Sequence, residues 1–427
     1  MQLVGIISES NRRAMNIKPL IALVVLLGCV PVARAAESDA LEISRTIQLQ
    51  CLPQGTILGP VFDSPAGTTL SHYSRGGDAA LWTGVYVAAE AYRYRVTKSP
   101  EALANVVKGL KAIRKLVRVT GTGVLSRCRL SVAWEDIEDR RAVITEEAGH
   151  GIYRSTLKGT EQYWIGNTSR DQYVGVFFGL GVAYELIDEN ADPKVRTLAR
   201  KIATELLDSL IANHWLVRMP NGDVSTTFVG RPDEQLALLQ VGRLVHPSKY
   251  AFAYETMRNE SADAVPVVIG VECLNDHDSY FKFNLAYLSM YSLLHYEEAG
   301  SPALGSYRFA YNLLRGTTVL HGNAHFNAID RALEGPDASR DAETRRLLDE
   351  WLERPRRDEW VDLRDEVPMC GEDRACFPIP VKDRVRTDFL WQRSPFLAYG
   401  GGAGTIASPG VDYILPYWMG RYFETVR

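Results

Sequence analysis

Apolar residues recur at helical spacing in two long stretches of the chain, 103–117 and 195–210. A polar residue followed by a proline precedes each stretch, and the same pair occurs a third time: Ser99-Pro100, Asp192-Pro193 and Ser301-Pro302. A Ser or Asp side chain accepts hydrogen bonds from the first backbone N–H groups of a helix, and proline is tolerated there because its missing N–H would have no partner. The three pairs therefore predict the starts of three amphipathic helices.

A different kind of helix is predicted before each of these starts. The stretches 78–94, 171–184 and 281–296 are apolar nearly all round and rich in Gly, Ala and aromatic residues. A helix that is apolar on every side is normally buried. The repeating unit is thus a buried helix, a short turn and an amphipathic helix. Further helices are predicted over 234–244, 324–333 and 339–352.

This repeat resembles the (α/α) toroid of six-hairpin glycosidases. The resemblance implies an all-α dominated fold, with minor strands in loops and a single domain over residues 36–427, in which inner helices are ringed by outer ones. It also implies a carbohydrate-active enzyme. In such a toroid the residues at the starts of the inner helices line the mouth of the central funnel.

The first residues have the features of a secretory signal peptide. Lys18 precedes an apolar run over 19–32, and Ala33-Arg34-Ala35 offers a small-x-small cleavage site. We therefore expect residues 1–35 to be removed and the product to be periplasmic or secreted, with no stable membrane span. Lipoprotein anchoring at Cys29 is the alternative to this cleavage, and the sequence leaves open whether translation starts at Met1 or at Met15.

Charge and cysteine content narrow the picture further. The formal net charge is −4 and no basic stripe is evident along the sequence, so we expect no nucleic-acid partner. An exported chain can keep disulfides. Cys370 and Cys376 flank a short polar loop and are the first predicted pair, and Cys51 with Cys128 is a second. Cys273 would remain a thiol.

Two polar clusters fall at the starts of predicted inner helices. The first contains Arg75 and Asp78, with Trp82 one turn on, and the second contains Arg170 and Asp171. Each aspartate could simply cap its helix, because a carboxylate is favoured at a helix N-terminus. Two carboxylates across a cleft can also act as acid and base in glycoside hydrolysis. We predict that Asp78 and Asp171 are this catalytic pair.

Other polar and aromatic side chains are expected to position sugar rings. An indole ring stacks on sugars and a guanidinium group donates hydrogen bonds to them. The predicted substrate-binding residues are Arg75, Trp82, Trp164, Arg170, Asn275, Trp391 and Arg393.

A third cluster, over 275–281, resembles the short Asn-Asn-His-Ser-Tyr-Trp motif of toroid polysaccharide lyases such as alginate lyases. Carried over, Asn275 or Asp276 would neutralise a uronate carboxylate, while His277 and Tyr280 would transfer protons. Asp276 and the inserted Asp278 depart from the motif. The alternative functions are thus a lyase acting on a uronate polymer and a non-catalytic protein that binds glycans or partners.

Neither a cofactor nor a metal is expected. His321 and His325 are four residues apart, but Gly322 and Asn323 between them favour a loop or cap. The glycine run over 400–404 lacks the lysine and the strand–helix context of a phosphate-binding loop.

Overall fold

A computed structural model describes residues 35–275 and 280–426. The predicted signal peptide lies outside the described residues apart from Ala35. Helices dominate, and small antiparallel sheets join them. The helices are α1 (Glu37–Thr46), α2 (Ala79–Thr97), α3 (Pro100–Arg118), α4 (Ile137–Glu146), α5 (Arg170–Leu186), α6 (Pro193–Ala212), α7 (Pro232–Val245), α8 (Pro247–Ser261), α9 (Val265–Cys273), α10 (Phe281–His295), α11 (Leu304–Thr318), α12 (Ala324–Glu334), α13 (Ala338–Leu352) and α14 (Val411–Tyr422).

The predicted helices are present, with small shifts at their ends. Helices α3 and α6 begin at Pro100 and Pro193, and the Asp192 side chain accepts a hydrogen bond from the Lys194 N–H at 2.9 Å. The third start was placed too early: α11 begins at Leu304, because Ser301 caps a turn that precedes the helix.

Six helices have buried surfaces on nearly every side: α2, α5, α7, α10, α12 and α14. Each packs against the next in this order, and α14 packs against α2. A further helix packs on each of five of them: α3 on α2, α6 on α5, α8 on α7, α11 on α10 and α13 on α12. The alternation predicted from the sequence, a buried helix followed by an amphipathic one, is confirmed for α2 and α3, for α5 and α6, and for α10 and α11.

Glycines let α2 and α5 approach until their backbones touch. A Cβ added to Gly84 would lie 2.3 Å from the Gly175 carbonyl oxygen, and one added to Gly179 would lie 2.2 Å from the Gly84 oxygen. Such distances exclude any side chain at these positions. The close packing brings the first residues of α2 and α5, where the two predicted clusters lie, next to each other.

Short strands border the helices. Strands β1 (Gly59–Phe62), β2 (Leu70–Ser74), β8 (Arg357–Asp362) and β9 (Tyr399–Ala407) form a sheet in the order β2-β1-β9-β8. Strands β3 (Cys128–Ser131), β5 (Thr160–Ile165) and β4 (Ile152–Leu157) form a second sheet in that order, and β6 (Leu216–Arg218) pairs with β7 (Val224–Thr227). All pairings are antiparallel.

The cysteines agree with the sequence prediction in one pair and disagree in the other. Cys370 and Cys376 form a disulfide, as predicted. Cys51 and Cys128 are not joined; each is a buried thiol, so the second predicted bridge is wrong. Cys51 packs in one cluster of apolar side chains and Cys128 in another. A free cysteine commonly serves as a small buried apolar residue, so neither thiol needs a disulfide partner. No helix among the described residues is long and apolar enough to cross a bilayer.

Candidate functional site

The turn before α2 is held by two carboxylates at the end of α4. Arg75 has a left-handed backbone (φ 63°), and its N–H donates to Glu146 Oε2 at 2.8 Å. The Gly77 N–H donates to Glu147 Oε1 at 2.6 Å. A left-handed arginine is uncommon and marks a position fixed by its surroundings. The turn ends with Asp78 at the N-cap of α2, but the Asp78 side chain makes no capping hydrogen bond.

The Asp78 carboxylate instead faces the start of α5. Gln172 Nε2 donates to Asp78 Oδ1 at 2.9 Å, and Arg127 Nη1 lies 3.6 Å from the same oxygen. Burial and the nearby charges of Asp388 and Asp171 raise the Asp78 pKa from 3.8 to about 7, against the opposing effects of Arg127 and Gln172. Asp78 is therefore a carboxylic acid that can hold a proton near neutral pH.

Asp388 has the opposite tendency. Its Oδ2 accepts from Trp82 Nε1 at 3.0 Å, and its Oδ1 accepts from Thr387 Oγ1 at 2.7 Å and from the Phe389 N–H at 3.0 Å. Burial would raise the Asp388 pKa, but the charge of Arg75 and these hydrogen bonds hold it below its usual value. A carboxylic acid beside a carboxylate with a lowered pKa is the arrangement expected of an acid/base pair.

Asp78 and Asp388 both line one open hollow of about 640 Å³. Its rim is strongly charged and includes Arg75, Arg127, Glu147, His150, Arg386 and Arg393. Arg127 connects the turn before α2 with the residues before α5. It donates to Gly77 O at 2.8 Å, Asn167 O at 2.9 Å and Ser169 Oγ at 2.8 Å. The hollow is large enough for a sugar-sized ligand.

Asp171 lies beside this pair and outside the lining of the hollow. Its Oδ1 accepts from the Gln172 N–H at 2.9 Å and from Ser169 Oγ. The same glutamine thus contacts Asp171 through its backbone and Asp78 through its side chain. Asp171 therefore accepts a hydrogen bond in the first turn of α5, as the helix-capping interpretation expected. Its negative charge also helps to raise the Asp78 pKa.

The three predicted tryptophans are buried. Trp82 stacks on Phe389 with ring centroids 4.3 Å apart, and Trp164 stacks on Tyr153 at 4.5 Å. Trp391 is fully buried and its Nε1 donates to the Asp412 carbonyl. Trp82 touches the site through its N–H on Asp388, while neither Trp164 nor Trp391 lines the hollow.

The predicted arginines occupy different places. Arg75 and Arg393 line the hollow with Asp78. Arg170 points to the start of α7, where its Nε lies 2.8 Å from Glu234 Oε2. Burial and the neighbouring Asp233 raise the Glu234 pKa to about 7, although Arg170 and Arg231 oppose this. This second buried acid was not predicted from the sequence.

The third predicted cluster is described only at its ends. Asp276 and His277 lie outside the described residues. Asn275 is exposed, whereas Tyr280 is buried and its hydroxyl lies 3.1 Å from His321 Nδ1. Tyr280 also packs on Phe326. It therefore belongs to the aromatic core between α10 and α12.

No metal-binding group of three or more His, Cys, Asp or Glu side chains occurs within 35–275 and 280–426. His325, one of the two histidines considered, is fully buried next to Phe326 and Phe389. Burial lowers its pKa to about 3, so this imidazole is neutral.

Sequence reasoning missed Asp388, Arg127 and Gln172. Asp388 opens the stretch that contains Trp391 and Arg393, so its neighbours were a usable signal. Gln172 directly follows the predicted Asp171 and had the same kind of signal, whereas Arg127 carried none, because its role depends on contacts between distant segments.

Comparisons with protein-family models, curated protein sequences and solved structures find no match for this chain. The chemistry of the hollow is therefore inferred from its own residues.

Proposed function

We propose that this protein is an exported glycoside hydrolase in which Asp78 is the general acid. The observation that carries the proposal is the pair of carboxyl groups with opposite pKa shifts on one hollow, Asp78 raised to about 7 and Asp388 lowered. Glycoside hydrolysis needs one protonated and one ionised carboxyl group at the scissile bond.

We further propose an (α/α) toroid as the scaffold. The support is the order of packing among the buried helices, which runs α2, α5, α7, α10, α12, α14 and returns to α2, with α3, α6, α8, α11 and α13 each packed on one of them. In this arrangement Asp78 and Asp388 lie at the mouth, close to the starts of α2 and α5.

In the proposed reaction, the Asp78 proton passes to the glycosidic oxygen as the bond from that oxygen to the anomeric carbon breaks. Water attacks the anomeric carbon and gives a proton to the Asp388 carboxylate. The sequence-based hypothesis paired Asp78 with Asp171. Here Asp171 is a positioning residue that raises the Asp78 pKa and orients Gln172.

Substrate binding is assigned to the cations on the rim. Arg75 and Arg393 line the hollow on the side of Asp388, and Arg393 is exposed. Guanidinium groups are well suited to hold sugar hydroxyl or carboxylate oxygens in a fixed orientation.

A panel of polysaccharides tests the proposal. Reducing ends and ultraviolet absorbance are followed together for the wild type and for Asp78→Asn, Asp388→Asn and Asp171→Asn. New reducing ends without absorbance are expected. The rate of their formation should fall by a factor of about 10² to 10⁴ in the first two variants, and less, with a shifted pH profile, in the third.

Three outcomes would contradict the proposal. An absorbing, unsaturated product would favour the lyase alternative, and a His277→Ala variant would then lose activity. Full activity in Asp78→Asn would show that Asp78 is not the general acid. No reaction across a broad panel would favour a binding protein.

A further inference from the structure

The outward face of α3 carries a row of cations. Lys108, Lys111, Lys115 and Arg118 are all exposed. They are three or four residues apart, so they lie along one side of the helix. At a rise of about 1.5 Å per residue, the row is roughly 15 Å long.

This row borders two hollows that meet. One is about 490 Å³ and the other about 520 Å³, and Lys111, Lys115 and Arg129 line both. Lys158, from the turn between β4 and β5, lines the first hollow as well. Together they form a groove along α3, which we call the α3 groove, and no acidic side chain among the described residues lines it.

The charge of the α3 groove is largely uncompensated. Within 35–275 and 280–426, neither Lys111, Lys115 nor Lys158 forms an ion pair, and the nearby Arg114 has only Glu205, at 3.7 Å. Burial, together with the charges of Arg129, Lys158 and Lys111, lowers the Lys115 pKa. Binding of an anionic ligand would reduce the electrostatic repulsion among these cations.

We propose that the α3 groove binds a strand of acidic polysaccharide, one that carries carboxylate or sulfate groups along its length. The sequence-based expectation of no basic stripe was wrong at this helix. A net charge of −4 averages over the chain, and the helical spacing of the four cations on α3 was a local signal that sequence reasoning overlooked; Arg129 and Lys158 join them only in the folded protein.

Shape and composition favour a polysaccharide over other polyanions. A bilayer is flat and would reach only the exposed lysines, whereas Arg129, which lines both hollows, is buried. Single-stranded nucleic acids bind largely by stacking on aromatic side chains. No aromatic side chain among the described residues lines either hollow. The proposal does not depend on the proposed hydrolysis, because the groove and the Asp78 hollow share no lining residue.

Binding of a fluorescently labelled oligogalacturonate tests the groove. It is measured by anisotropy at low and at moderate salt, with a neutral maltooligosaccharide of the same length beside it. All proteins carry Asp78→Asn so that no probe is consumed. The test variant adds Lys111→Gln and Lys115→Gln.

The matched control adds Arg308→Gln and Arg346→Gln, which remove the same charge from exposed side chains on α11 and α13. Circular dichroism verifies that each variant is folded. Lys158→Gln with Arg118→Gln provides a second pair from the groove.

We expect the uronate probe to bind, the neutral probe not to bind, and affinity to fall as salt rises. The Lys111/Lys115 variant should bind about tenfold more weakly or worse, and the control within about twofold of its parent. Equal affinity in all variants, or equal binding of the neutral probe, would overturn the proposal. So would tighter binding of a short single-stranded DNA or of phosphatidylglycerol vesicles than of the uronate.

Discussion

Replacing Asp78 by Asn should make the protein more stable at neutral pH while removing its activity. Asn keeps an oxygen that can accept the Gln172 hydrogen bond but carries no charge. The wild type must bury a carboxylate against Asp388 and Asp171 whenever Asp78 is ionised. Removing that charge therefore removes an unfavourable interaction from the folded state.

The size of the effect follows from the pKa. The rise from 3.8 to about 7 would correspond to roughly 4 kcal/mol without solvent screening. The Asp78 side chain is 32% exposed, and Arg127 loses its nearby counter-charge in the variant. Screening and this loss reduce the expected gain to about 1–2 kcal/mol.

The gain should depend on pH in a defined direction. Below pH 3.8, Asp78 is protonated in both the folded and the unfolded state, so it contributes no difference. As the pH rises, the unfolded chain loses its proton first, and the folded wild type becomes less stable relative to the variant. The difference should grow between about pH 4 and 7 and stay constant above that.

Urea denaturation followed by circular dichroism, at several pH values from about 4 to 8, measures this difference. Asp192→Asn is the control, because it exchanges one good N-cap for another on α6 and should change stability by only a few tenths of a kcal/mol. A variant that is less stable than the wild type at every pH, or a difference that does not vary with pH, would refute the reasoning.

Three further perturbations test the packing around the site. Gly84→Ala should cost about 3 kcal/mol because its Cβ would collide with the backbone of α5, whereas Gly316→Ala, with open space around it, should stabilise α11 by about 0.5–1 kcal/mol; thermal melts that move in the same direction would contradict this. Arg127→Gln should cost roughly 2–4 kcal/mol in urea denaturation, since it unpairs the buried Gly77 carbonyl and breaks the partly buried hydrogen bond to the Asn167 carbonyl, and an unchanged midpoint would show that the arginine is not needed there. Replacing Cys370 and Cys376 by Ser should lower stability by about 2 kcal/mol without changing the proposed hydrolysis, and loss of activity with an unchanged melting temperature would argue against a purely structural bridge.

The sequence predicts nine of the described helices because their signals are local, but it misses α1, α4, α8, α9 and α14. Periodic apolar residues, N-cap residues and prolines each act within one or two turns, and the start of α6 follows from the Asp192-Pro193 pair. The place of Asp78 at the start of a buried helix follows in the same way.

The rest of the site depends on distant contacts. Asp388 reaches the site through Trp82, 306 positions away in the chain, and no local pattern encodes this. The buried tryptophans show a related limit, since composition does not reveal which faces of Trp82 and Trp164 other rings cover. On α3 the row of cations was readable from its helical spacing, whereas the addition of Arg129 and Lys158 to it depends on the fold.

The most direct test of the central proposal compares the hydrolytic rate of the wild type and of Asp78→Asn on one cleaved polysaccharide across pH. If Asp78 is the general acid, the wild-type rate falls as the pH rises above about 7, because the proton is lost. The variant should then be slower by a factor of about 10² to 10⁴ at every pH where the wild type is active. Wild-type rates in the variant, with the same pH dependence, would contradict the assignment of Asp78.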